Sequence, residues 1–116
     1  MTDEEIEVLI ARYIAAWNEP EANARRRHLE AAWEEAGTYS DPLAQAASRD
    51  ELEALIAGFQ GENPEATFTI QGKIDHHHRA LRFFWMLHYP NGIQQSGMDY
   101  GEVSPQGRLA KITGFF

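Results

Sequence analysis

The hydrophobic period of the chain changes near its midpoint, and that change restricts the fold more than any other feature of the sequence. Ile6, Leu9, Ile10, Tyr13 and Trp17 recur at helical spacing behind a Thr2 or Asp3 cap. Pro20 marks the next start. A second helix is expected from about Glu21 to Glu35, with Leu29 and Trp33 on its apolar side and Gly37 ending it. The segment TYSDPL reads as short and extended, because the residue before a proline is pushed out of helical geometry. Ser48 and Glu51 form a capping-box pattern that opens a third helix running to about Gln60. Beyond it, ATFTIQGKID, ALRFFWMLHY, IQQSGMDYGEV and RLAKITGFF read as strands joined by short polar turns, with Pro90-Asn91-Gly92 a hairpin signal. Three helices followed by an antiparallel meander predict an α+β fold. A curved sheet wrapped over the helices would form a cone with an internal hollow.

The bulk properties narrow the function. A length of 116 residues fits one domain, 1–116, with a core that needs no staples. A 43% hydrophobic and 11% aromatic content argues against disorder. The absence of cysteine excludes disulfides, thiolate metal ligands and a cysteine nucleophile, and is consistent with a cytoplasmic protein. The acidic N-terminus does not read as a signal peptide, and no stretch approaches the roughly 18 apolar residues of a membrane span. A net charge of −8 repels phosphate backbones, which argues against nucleic acid as a partner. Arg25-Arg26-Arg27, set among acidic residues, reads as a solvated helix face with intrahelical ion pairs.

One strand breaks its own pattern. SGMDYGEV places Asp99 between Gly97 and Gly101 on a single strand face, although aspartate and glycine are both poor strand residues. That face looks either into water or into a hollow that something else fills. The neighbouring strand carries Leu81, Phe83, Trp85 and Leu87 on its more apolar face. A three-residue turn at 90–92 sets Phe83 opposite Asp99, both inward; a two-residue turn sets Phe84 there and turns Asp99 outward. The residues alone leave both registers open.

Two other segments carry polar groups that could join Asp99. Tyr13 and Trp17, at i and i+4, bring a hydroxyl onto the apolar face of the first helix, as a core residue or a ligand-facing one. Asp41 precedes a proline, as a turn initiator or a base. A buried carboxyl is driven toward its neutral form and can then donate a hydrogen bond; with a tyrosine it could stabilise an oxyanion.

With RYIAAWN, YSDPL and GMDYG in matching order, the chain resembles the nuclear transport factor 2-like superfamily, in the branch of ketosteroid isomerases and SnoaL-like polyketide cyclases. The resemblance covers nearly the whole chain. It implies that Tyr13 and a protonated Asp99 are oxyanion donors and that Asp41 shuttles the proton; ketosteroid isomerase is itself a standard example of this pairing. It favours the inward register of Asp99 and implies a homodimer through the outer sheet face, where Phe84 and Met86 lie. Pocket-wall candidates are Trp17, Phe59, Phe83 and Trp85. The third helix offers Leu55, Ile56 and Phe59 where the isomerases often place a supporting tyrosine. The expected ligand is a small apolar molecule such as a carbonyl compound, with no cofactor and no metal. Three functions follow: a cofactor-free isomerase or cyclase, a non-catalytic binding domain, and an epoxide hydrolase-like activity. The last needs a pocket arginine, for which Arg82 is the nearest candidate, though the inward register points it outward. DHHHRA (75–80) falls at a turn between strands in this comparison rather than at a metal site. Phe115 and Phe116 read as last-strand core or interface.

Overall fold

Thr2 starts the first helix, α1 (Asp3–Asn18): its hydroxyl accepts from the Glu5 N–H at 3.1 Å while the Glu5 carboxylate takes the Thr2 N–H at 2.8 Å. A computed structural model describes residues 1–116. The remaining elements are α2 (Ala22–Ala32), β1 (Trp33–Ser40), β2 (Gln45–Ala46), α3 (Arg49–Glu62), β3 (Thr67–His77), β4 (Ala80–His88), β5 (Gln94–Val103) and β6 (Leu109–Phe115). No helix is long and apolar enough to cross a membrane.

The strands form one six-stranded sheet in the order β2-β1-β6-β5-β4-β3. From β3 to β6 each pair is antiparallel, as the alternation predicts, but β1 runs parallel to β6, so the sheet is mixed. This corrects the expected all-antiparallel sheet and the expected second helix together. Trp-Glu-Glu-Ala is compatible with a helix, yet the helix stops at Ala32 because pairing with β6 decides the segment. Residues 34–37 bulge between the pairs Trp33↔Leu109 and Thr38↔Lys111. The fully buried Trp33 indole donates to the Gly37 carbonyl at 3.0 Å. A Cβ on Gly37 would lie 2.6 Å from that indole nitrogen, so the glycine serves close packing rather than a helix end.

The helices lie on the concave face. Tyr13 of α1 stacks on Trp33 at 5.5 Å, and Phe83 is fully buried in the same core. Arg25 departs from the solvated-face reading: it is buried, donating to the carbonyls of Glu19 and Pro20 and, at 2.7 Å, to Gln60 Oε1. Gln60 in turn donates to the Trp17 carbonyl at 2.8 Å, so the arginine ties α1, α2 and α3 together. Arg26 pairs with Glu53 of α3, between helices rather than within one. At the end of α1, the Asn18 amide donates to the Phe68 carbonyl at 2.9 Å and accepts from the Phe68 N–H at 2.7 Å.

The turn at 90–92 takes three residues, with Gly92 at a φ of 86°, and β4 pairs with β5 as Phe83↔Asp99. The histidines surround a two-residue turn, His78-Arg79, both at positive φ. His76 meets Asp3 at 2.6 Å, His77 meets His78 at 3.1 Å, and the histidines converge on no common point.

Candidate active site

Between α1, α3 and the concave sheet lies a cavity of about 480 Å³, a size typical of small-molecule sites. Fourteen of its 19 lining residues are hydrophobic. Aromatic side chains follow one another around it: Tyr39 to Trp17 at 5.8 Å, Trp17 to Phe68 at 5.5 Å, Phe68 to Trp85 at 5.4 Å, and Trp85 to Phe116 at 5.9 Å. Phe59 of α3 packs edge-on against Trp17 at 5.7 Å. Trp17, Phe59 and Trp85 therefore line the cavity as predicted. Phe83 does not: it shares the inner face with Trp85, two residues on, but is wholly enclosed in the core. Phe116, read from the sequence as core or interface, closes the wall beside Trp85.

Absent side chains shape the polar end. A Cβ on Gly97 would fall 2.0 Å from the Trp85 indole, so only glycine lets that ring lie flat across β5. From there the indole N–H donates to Asp99 Oδ1 at 3.1 Å. Gly114, paired with Asp99 across β6, leaves a gap in which Asp99 Oδ1 sits 2.9 Å, and Asp41 Cβ 3.4 Å, from the position of a missing Cβ. The glycines thus bring both aspartates to one place.

The two aspartates are held differently. Asp41 accepts three hydrogen bonds: the backbone N–H groups of Leu43 and Ala44 at 2.8 and 2.9 Å on Oδ1, and the Tyr39 hydroxyl at 2.5 Å on Oδ2. The Asp-Pro turn and the pocket placement coexist in one residue. Asp99 is only 6% exposed and has one donor, with Oδ2 free of any protein partner. Burial pushes its carboxyl up to about 7; the Trp85 hydrogen bond opposes this and the neighbouring Asp41 charge adds to it. Tyr13 is 1% exposed, lines the cavity, and has no protein acceptor for its hydroxyl proton. Burial first, then the charge of Asp99, raises its phenol well above the usual value, so Tyr13 is a neutral donor. Tyr39 is raised in the same way, by burial and then by its bond to Asp41.

Tyr39 is the polar residue that the sequence reading passed over. Its signal was available: Tyr39 and Asp41 stand two apart, and residues two apart in an extended segment share a face. Arg82 lies on the outer face, paired with Asp75 at 3.1 Å, and no arginine, lysine or histidine lines the cavity.

Among solved structures the chain is similar to a candidate isomerase of the SnoaL-like family from Agrobacterium tumefaciens, with 31% identity over 97% of each chain and a TM-score of 0.90. It shares its fold with a protein of cystatin-like fold from Methylobium petroleophilum (15% identity, 99% of this chain and 77% of that one, TM-score 0.81). A candidate SnoaL-like polyketide cyclase from Jannaschia sp. is a further fold relative (9% identity, 97% and 85% coverage, TM-score 0.75). No protein-family profile matches the sequence, and no curated protein does. A near-complete superposition at nearly one-third identity, on a helix-filled cone, means that this chain belongs to the SnoaL-like family of the nuclear transport factor 2-like superfamily.

Proposed function

We propose that the cavity binds a small apolar carbonyl compound and moves a proton from its α-carbon to a more distant carbon, without a cofactor. Asp41 takes the α-proton. The C–H electron pair becomes the C=C bond of an enolate, and the carbonyl π pair moves onto oxygen. Tyr13 and protonated Asp99 donate hydrogen bonds to that oxygen. In a β,γ-unsaturated substrate the oxygen pair then re-forms C=O, the enolate C=C pair becomes the α,β double bond, and the β,γ π pair takes the proton from Asp41 at the γ-carbon. The observation that carries this reading is the pairing, in one apolar wall, of a Tyr13 hydroxyl whose proton has no protein acceptor with a buried Asp99 carboxyl that has one donor and is pushed up to about 7. Three of roughly four lone-pair positions on Asp41 are occupied, which leaves one for the substrate proton. A cyclase would use the same enolate to form a carbon–carbon bond. Hydrolysis with arginine support finds no arginine in the wall.

The test is isomerisation of β,γ-unsaturated ketones of several sizes, followed by conjugation absorbance, with Asp41→Asn in parallel. Proton transfer predicts turnover that falls roughly 10²- to 10⁴-fold in the variant. Ketone binding without turnover would favour the second reading, a non-catalytic binding domain, which the engagement of Asp41 by three donors supports.

A homodimer is part of the proposal. On the convex face Phe84, Met98 and Phe115 stand in register across β4, β5 and β6, with Phe84 and Phe115 each about half exposed. Sedimentation of the wild type and of Phe84→Glu tests it.

A further inference from the structure

The wall of the cavity has a one-sided electrostatic character. It carries the carboxylates of Asp41 and Asp99, with Glu62 at its edge, and no cationic side chain. The one buried cation of the fold, Arg25, lies outside the cavity wall and is committed to two carbonyls and Gln60. Two polar groups open to the cavity have bonding capacity that the protein does not use: Asp99 Oδ2 has no donor, and the Tyr13 hydroxyl has no acceptor. Around them run the ring faces and edges of Trp17, Tyr39, Phe68 and Trp85. Aromatic rings attract a desolvated cation, and a buried carboxylate compensates its lost hydration.

We propose that the cavity takes a second class of ligand, apolar amines in their ammonium form, with the cationic head at Asp99 Oδ2 and Asp41 and the hydrocarbon body along the aromatic wall. The inference rests on the cavity being a ligand site and not on the proton-transfer reading. A carbonyl oxygen needs Asp99 protonated, whereas an ammonium group needs it ionised. The Asp99 carboxyl therefore reads opposite ligand polarities on either side of its titration near 7. The groups that face Asp99 agree with this. Trp85 of β4 donates to it, Tyr39 of β1 and Tyr13 of α1 are neutral, Asp41 adds negative charge, and Gly114 of β6 contributes no side chain. A bound cation removes the repulsion between the two carboxylates and drives a proton off Asp99. Carboxylate and phosphate ligands are disfavoured by the same field.

Three matched probes test it on the unmodified protein: N,N-dimethylphenethylammonium, its hydrocarbon isostere isopentylbenzene, and 3-phenylpropanoate. Binding is followed by tryptophan fluorescence and by calorimetry. The ammonium probe is expected to bind roughly tenfold more tightly than the hydrocarbon at pH 8, and the carboxylate more weakly than either. The advantage should shrink as pH falls through 7. Near pH 7 the heat should depend on the buffer's ionisation enthalpy, in the sense of proton release. Asp99→Asn should abolish that pH dependence; because the wild-type comparison needs no variant, a misfolded variant does not weaken the test. Equal or tighter binding of the hydrocarbon at pH 8, or no binding of the ammonium probe, overturns the inference. Ketone turnover without an ammonium preference sinks this inference alone, and an ammonium preference without ketone turnover sinks the isomerase reading alone.

Discussion

Asp41 and Asp99 are the same residue type in the same cavity, yet the segments that carry them handle the carboxylate in opposite ways. Asp41 sits in a turn after β1, where backbone N–H groups are free to point at it, and it gathers three donors. Asp99 sits mid-strand, where its neighbours' backbone groups are committed to the ladder, and only an indole reaches it. A turn solvates a charge with the chain itself; a strand cannot. The difference leaves one carboxylate surrounded by hydrogen-bond donors and the other with a single donor and its pKa raised by burial.

The comparison can be broken most sharply through stability. Asp99 is protonated in the folded state up to about 7, whereas in the unfolded chain it ionises near its ordinary 3.8. Between those values the unfolded state binds fewer protons, so stability falls as pH rises through this window and is constant above it. Asp99→Asn removes the titration. It is expected to stabilise the protein by up to about 4 kcal/mol at pH 8 and to do nothing near pH 4, as read from urea midpoints. An Asp99→Asn protein no more stable than wild type at pH 8 would mean that the carboxyl is well solvated.

A smaller effect is expected at the glycine that seats Trp85. Gly97→Ala puts a Cβ 2.0 Å from the Trp85 indole ring and should cost about 3 kcal/mol, while displacing Trp85 from Asp99 and shifting its fluorescence. An unchanged midpoint would show that the ring has room to move.

The smallest of the three has the opposite sign to the first. Asp41→Asn keeps the shape but has a single acceptor oxygen for three donors. It should destabilise by about 2 kcal/mol at pH 8, by the same urea measurement. If both Asn variants shift stability in the same direction, the contrast between turn and strand fails.

Much of this arrangement was legible in the sequence because it depends on period and spacing. The apolar rhythm of α1 predicts Tyr13 and Trp17 inward; the register that sets Phe83 opposite Asp99 is one of two that the residues leave open, favoured only by the family resemblance. What escaped depends on distant partners. Trp33 to Gly37 looks helical until β6 offers a parallel edge, a pairing that local propensity cannot see. Arg25 reads as solvated until Gln60, 35 positions away, arrives to meet it. Phe83 and Trp85 have identical alternation; which one borders the cavity is decided by where the helices lie across the sheet. Tyr39 was hidden for a different reason, since its importance lies in the proton it donates to a residue already singled out.

The amide of Asn18 has a consequence away from the cavity. β3 is the last strand of the sheet, and at Phe68 its outward N–H and C=O are both taken by that one side chain. A primary amide presents the same donor and acceptor pair as a peptide unit, so Asn18 imitates the first rung of a seventh strand. The rung is occupied, and further along the edge the Gly72 bulge bends the strand away. Together they deny an incoming chain a flat template for cross-β growth, so the same contact that fixes a ring of the cavity wall also guards the protein against polymerising through its open edge.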